Sequence, residues 1–307
     1  MHADAAPSLV RRTLFEGEWL QIGHIAMRPE SSECGEVETS DLNVLALPLT
    51  GLFVKHDGPR RQALATPSHG LLISAGKPYR LSFPGCIGDR CLALRLSSDA
   101  LAHVLPEAMT GGGFDEARFA GHALLPPEMM LARSRLWQDL ERGEVDGLDA
   151  EERGIGLLEA ALDVARGQSV AARRRRPGQS GGRTRRLART IEAVCAGPER
   201  KWTLGELAEL ASMSPGHLAH VFRVEMGTSV YGFVLRSRLA RALEAVFDSD
   251  AGLTEIAMDA GFASHSHFTA RFRAFFGRTP QELRRGSRSR AVRELRRIVA
   301  APELVAA

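Results

Sequence analysis

Cysteine is scarce: four residues in a chain of 307 rule out a disulfide framework for a protein of this size. Long apolar runs are missing as well. No stretch reaches the ~20 residues that a membrane-spanning helix requires. The opening segment Met1–Leu9 is short, contains Asp4 and Pro7, and is followed by Arg11-Arg12, which does not suit an export signal. A cytoplasmic protein with no membrane partner is therefore expected. Net charge is also nearly absent, at +3, but this balance hides a division. Residues 166–297 carry 25 Lys and Arg against 12 Asp and Glu, net +13, whereas the remainder carries net −10. A basic half joined to an acidic half predicts a phosphate-binding module attached to a unit that stays away from nucleic acid.

The basic half contains an internal repeat. Leu204, Leu207, Ala208, Ala211, Met213, Leu218, Phe222 and Gly227 recur as Leu253, Ile256, Ala257, Ala260, Phe262, Phe268, Phe272 and Gly277. The offset is 49 residues up to Met213/Phe262 and 50 from Leu218/Phe268 onward. One residue has thus been gained in a turn, while the apolar faces on both sides keep their spacing. Each copy reads as a short helix, a tight turn and a second helix. In the first, Thr203 and Glu206 form a capping-box start and Ser214-Pro215 opens the second helix as N-cap and N1. In the second, Gly252 and Glu255 stand at the start, Gly261 closes the first helix and Ser264 caps the next. Between the copies, residues 229–248 contain no Pro and one Gly, with Phe233, Leu239, Leu243 and Val246 at helical spacing. Such a helix would be ~30 Å long, close to the ~34 Å of one turn of DNA.

This constellation resembles the DNA-binding domain of AraC/XylS-family transcription regulators. The matching residues are Leu204-Gly205-Glu206-Leu207-Ala208, Met213-Ser214-Pro215, His217-Leu218, Phe222, Gly227-Thr228-Ser229, Arg238-Leu239-Ala240, Ile256-Ala257, Gly261-Phe262, Ser266, Phe268, Phe272, Phe276-Gly277 and Thr279-Pro280. They span about 185–286, a third of the chain. The resemblance implies a sequence-specific regulator that binds double-stranded DNA at an operator or promoter, works with RNA polymerase, and answers to a small-molecule effector as a homodimer. Whether such a protein activates or represses depends on where its operator lies relative to the polymerase.

On the second helix of each copy, the positions facing away from the apolar stripe are Gly216, His217, His220 and Arg223, and Ser266, His267, Ala270 and Arg273, with His265 at the start of the second. These nine are the expected DNA-contacting positions. The family usually carries Arg where this chain has His220 and Ala270, so the Arg-to-guanine contact is missing at both, and Arg271 is displaced ~100° around the helix. A distinct operator follows. His265 and His267, two apart, point in different directions. His217 and His220 share a face but have no carboxylate or Cys at helical spacing, so DNA-facing donors are expected rather than metal ligands.

The acidic half is of another kind. Short apolar runs at 20–27, 43–47, 51–55, 70–74, 79–83 and 91–96 are separated by Gly, Pro and Asp signals and predict strands of a sandwich or small barrel. This stretch resembles the cupin-type sensor found in front of AraC-type domains, and Gly76-Lys77-Pro78-Tyr79-Arg80 followed by Gly88-Asp89-Arg90-Cys91 is similar to one subgroup of it. Cupin enzymes use a His-x-His cluster, a Glu and a later His. Residues 20–100 hold only His24, His56 and His69, so neither catalysis nor a cofactor is expected. Cys34, Cys86 and Cys91 leave open an alternative, a metal- or thiol-responsive DNA-binding sensor, beside the reading of small buried hydrophobes. From about 126 to 167 two helices follow, one with Met130, Ser134, Trp137 and Leu140 on a face, the other with Ile155, Leu158, Leu162 and Ala165. In related regulators such helices form the dimer interface, which would set Leu158 and Leu162 against a partner; covering the barrel is the other use for them.

The expected fold class is α+β: a cupin-like β-barrel with a helical pair at 1–167, a flexible basic linker at 168–184, an all-α double helix-turn-helix domain at 185–290, and a tail at 291–307.

Overall fold

The computed structural model describes residues 8–58, 62–106, 122–173 and 180–286. The tail at 291–307 lies outside the described residues. Among the described residues nine strands come first: β1 (Ser8–Glu16), β2 (Gln21–Arg28), β3 (Asn43–Gly51), β4 (Phe53–His56), β5 (Gln62–Ala65), β6 (His69–Ile73), β7 (Arg80–Ser82), β8 (Asp89–Leu96) and β9 (His122–Leu124), with the short helix α1 (Ser98–Val104) before the last. They form two antiparallel sheets, one of six strands in the order β1-β2-β8-β3-β6-β9 and one of three in the order β5-β4-β7. The mixed α and β class is as expected, and the two stacked sheets are compatible with the expected sandwich or small barrel without closing into one. β1, β5 and β9 had no counterpart among the predicted runs.

Strand alternation explains why these segments are apolar throughout. In β3, Val44 and Ala46 face the small sheet while Leu45, Leu47 and Leu49 face the helices; in β8, Cys91 and Ala93 divide in the same way from Leu92, Leu94 and Leu96. Successive side chains leave a strand on opposite sides, so a strand buried on both faces shows no polar alternation. The small sheet does the same. Phe53, Ala63 and Ala65 meet the large sheet, and Val54 and Leu64 meet the C-terminal helices.

Helices α2 (Pro127–Arg142) and α3 (Gly147–Arg173) cover the large sheet. Leu158 and Leu162, read above as partner-facing, are 1% and 4% exposed inside the chain's own core. Their apolar stripe is spent on the sheet, which corrects that placement. Of the stretch read as a flexible linker, residues 168–173 complete α3 and Ser180 opens α4 (Ser180–Ala196), while 174–179 lie outside the described residues.

The C-terminal domain continues with α5 (Leu204–Leu210), α6 (Pro215–Met226), α7 (Val230–Asp248), α8 (Leu253–Asp259), α9 (His265–Phe276) and α10 (Pro280–Gly286). Its two halves share α7. The first part of that helix, Val230, Phe233 and Val234, packs with Leu207, Leu218, Val221 and Phe222; the later part, Leu239, Leu243 and Val246, packs with Ile256, Phe268 and Phe272. At 19 residues, α7 is ~28 Å long.

Candidate nucleic-acid interface

The two repeats fold as the same motif down to single hydrogen bonds. In the first turn Ser212 N–H donates to Glu209 O and Met213 N–H to Ala208 O; in the second, Gly261 N–H donates to Met258 O and Phe262 N–H to Ala257 O. Both turns need one residue in the left-handed region, held by Ser212 (φ 52°) and Gly261 (φ 81°). Glycine is required at the second because a Cβ on Gly261 would lie 2.5 Å from the Glu199 backbone. The extra residue is Ala263, standing between Phe262 and the N-cap Ser264, whereas Met213 leads directly into the N-cap Ser214. Both serines accept a hydrogen bond from the N3 backbone, His217 at 3.3 Å and His267 at 3.1 Å. The two recognition helices therefore start with the same geometry.

Gly216, His217, His220 and Arg223 on α6, and His265, Ser266, His267, Ala270 and Arg273 on α9, are all exposed in the intact chain. The N-terminal unit leaves both faces open. His267 stacks edge-on against Phe262 at 5.7 Å between ring centroids, and its Nε2 accepts a hydrogen bond from Arg271 Nε at 3.4 Å. Arg271, one turn from His267, thus lends a guanidinium to the edge of the face that the usual Arg position vacates at Ala270.

What holds this domain in place was not read from the sequence. Two histidines on paired strands, His69 on β6 and His122 on β9, have ring centroids 5.4 Å apart. His69 Nε2 donates to Met226 O at 3.0 Å and His122 Nε2 to Glu225 O at 3.2 Å, both carbonyls at the C-terminal end of α6. Their Nδ1 atoms accept from Thr66 Oγ1 at 2.9 Å and from Leu64 N–H at 3.4 Å. Burial lowers both pKa values, that of His69 to about 3, so the rings are neutral donors that satisfy helix-end carbonyls. A second contact crosses from α2 to α7. Ser134 Oγ donates to Glu244 at 2.6 Å, the fully buried Arg133 approaches the same carboxylate at 3.8 Å and donates to Pro67 O at 2.9 Å, and Arg142 donates to Phe247 O at 3.0 Å. From the other side, Arg236 donates to Leu125 O at 2.9 Å. Burial raises the Glu244 carboxyl against the pull of Arg133. These partners are more than a hundred residues apart for most pairs, a separation that leaves no periodic trace.

The other candidates resolve simply. Cys34 and Cys86 are exposed, and Cys91 is buried with its thiol pushed well up by burial, so the three do not share an environment. His56 is engaged with Ser82 Oγ at 2.8 Å, and His24 packs against Trp137 at 4.3 Å. Among the described residues, no group of three or more His, Cys, Asp or Glu is arranged to hold a metal ion, and no helix is long and apolar enough to cross a membrane.

Comparison with known proteins finds similarity over the C-terminal third of the chain. A family model described as a helix-turn-helix domain matches residues 207–286. The chain is 35% identical over 103 residues to the HTH-type transcriptional regulator GlxA of Rhizobium meliloti, covering 34% of this chain and 32% of that protein. A Streptomyces lividans protein, named as an AraC-like transcription regulator, is 27% identical over 99 residues, covering 32% and 33%. Among solved structures, an AraC-type DNA-binding domain-containing protein from Chromobacterium violaceum is 25% identical, with 35% of this chain and 96% of that one covered and a TM-score of 0.33. The chain spans about a third of the length of the curated relatives it matches. Through its C-terminal third, with residues 207–286 matching the helix-turn-helix family model, this chain is similar to AraC-type transcription regulators.

Proposed function

We propose that the chain is a sequence-specific transcription regulator of the AraC/XylS type, not an enzyme. It binds double-stranded DNA through α6 and α9, takes a small-molecule effector in its N-terminal unit, and works in the cytoplasm with RNA polymerase. One observation carries the reading: two helix-turn-helix units are built on a single shared helix of ~28 Å, near the ~34 Å repeat of DNA, and all nine outward positions on their second helices are exposed. The net +13 of residues 166–297 supplies the phosphate attraction. As a homodimer the protein would place two such domains on adjacent half-sites and gain avidity. The partner-facing surface is then other than the Leu158/Leu162 stripe. A ligand acts by differential affinity for docked and undocked arrangements of the two units.

Binding of the full chain to a selected operator should weaken with salt at a log-log slope of magnitude about 5 to 9, for ~6 to 10 phosphates contacted. His217→Ala and His267→Ala should each relax base preference at one subsite by ~1 to 3 kcal/mol. Salt-insensitive binding, or an unaltered preference in both variants, sinks this assignment of the faces.

A further inference from the structure

The ends of β2, β3 and β8 meet the DNA-binding domain across a cavity of about 430 Å3. Met27 and Leu49 line it from the large sheet and Ile87 from the turn before β8; Pro198, Ser237 and Arg241 line it from the loop after α4 and from α7. Its volume lies within the range of small-molecule sites, roughly 300 to 1,000 Å3. The strand ends converge here because Gly51, at φ +83°, has no side chain: a Cβ would lie 2.0 Å from Gly88 O. That approach brings Asp89, the first residue of β8, to the cavity wall.

Asp89 is 8% exposed, and its carboxyl makes no hydrogen bond or ion pair among the described residues. Three arginines share the lining with Asp89: Arg28 is exposed, and the other two are matched by acids. Arg90 lies 3.7 Å from Asp248 and over the Trp137 ring at 5.3 Å, and Arg241 lies 2.6 Å from Glu199. Asp89 lines the cavity, so its carboxyl is open to a donor placed there, from water or from a bound molecule. Burial alone pushes this carboxyl up to about 7. The Gly88-Asp89-Arg90-Cys91 motif, left without a role above, thereby acquires one.

We infer that this seam cavity is a binding site for a small organic ammonium with an apolar body, the ammonium donating to Asp89 and the body lying along Met27, Leu49 and Ile87. One wall belongs to the sensor and the other to the DNA-binding domain, so occupancy acts on the docking of the two. This site deepens the effector part of the regulator reading and rests on it for its biological consequence, though not for its chemistry.

The test uses the full chain with hexylamine, hexanol and hexanoate as probes, followed by thermal unfolding. Hexylamine at millimolar concentration should raise Tm by about 2 to 5 °C, as linkage requires of a ligand bound only to the folded state. Hexanol and hexanoate should not. Asp89→Asn should raise the half-saturating hexylamine concentration at least ~10-fold, the worth of a charge-assisted hydrogen bond. Ala26→Leu, which fills the cavity from β2, should abolish the response and decides the matter if Asp89→Asn does not fold. No shift with hexylamine, an equal shift with hexanol or hexanoate, or a response unchanged in the variants overturns the site. Operator binding measured on the same wild-type sample separates the two failures: selective DNA binding without an amine response removes the site alone, and an amine response without selective DNA binding removes the regulator reading alone.

Discussion

The two helix-turn-helix units share a local plan and differ in what they are fastened to. The first, α5 and α6, rests on the outer face of the small sheet through Val54 and Leu64, and α6 ends against His69 and His122. The second, α8 and α9, joins a core continuous with α2 and the large sheet, and α9 ends in an aromatic cluster where Phe275 and Phe276 are 4.8 Å apart and Arg236 lies over Phe275 at 5.0 Å. One attachment is polar and directional, made of two hydrogen bonds to helix-end carbonyls. In the second half α9 itself is held by apolar packing, and the polar contacts run through α7 instead, from Ser134 and Arg133 to Glu244 and from Arg142 to Phe247 O. A change in the sheets can therefore reach the first recognition helix through a fixed geometric link, while the second follows through packing. The units differ at their starts too. Thr203 and Glu206 make a reciprocal capping box before α5, whereas Gly252 opens α8 with no side-chain cap.

The largest effect that tests this comparison is one where the units should agree. Phe222 and Phe272 occupy equivalent, fully buried positions, so Phe222→Ala and Phe272→Ala should each cost ~3 to 5 kcal/mol in denaturant unfolding. A cost confined to one of them would mean that the halves do not share a fold logic.

Next comes the polar attachment. His69→Ala strands the Met226 carbonyl in a buried site and should cost ~1 to 3 kcal/mol. Its pH dependence has a definite sign. With the pKa of the ring lowered from 6.5 to about 3 by burial, the unfolded chain binds the extra proton between those values. Stability from this group is therefore fully present above pH ~6.5 and is lost as pH falls toward 3. Unfolding curves at pH 7 and pH 5 should show wild type losing more stability than His69→Ala. Equal losses would show that the ring is already charged in the folded state.

The smallest effect concerns the helix starts. Thr203→Ala should cost ~1 kcal/mol, and Gly252→Ser should gain a few tenths, because Gly252 at φ −61° has open space where a Cβ would stand. Amide exchange in α5 and α8 reads both. A penalty for Gly252→Ser would show that its flexibility, rather than its missing cap, matters.

The recognition helices were legible because their information is local. Ser214 and Ser264 announce a helix start, Leu218/Phe222 and Phe268/Phe272 fix its buried side, and the exposed set follows from the 3.6-residue period alone. The strands were legible where they carry an apolar run, as β3, β6 and β8 do, whereas β5, buried on both faces but four residues long and Ala-rich, was not. β1 lies at the sheet edge with Leu9 and Val10 half exposed beside the exposed Arg11 and Arg12, so it has neither an apolar run nor an alternation, and β9 is three residues long, too short for any pattern. Leu158 and Leu162 show the limit from the other direction. A helical stripe states that a face is buried and is silent on whether the chain or a second copy buries it.

Sequence by itself determined the two helix-turn-helix units, their shared helix, their outward residues and the charge contrast between the halves, since each depends on spacings within about twenty residues or on composition. Tertiary structure alone decided that His69 meets Met226, that Arg133 and Ser134 meet Glu244, and that Asp89 faces a cavity walled by the other domain. Single contacts between residues a hundred or more positions apart leave no period and no local conformational preference. They arise only when cores already formed by local patterning come together, and the polar groups at the seam must then find partners or remain without them.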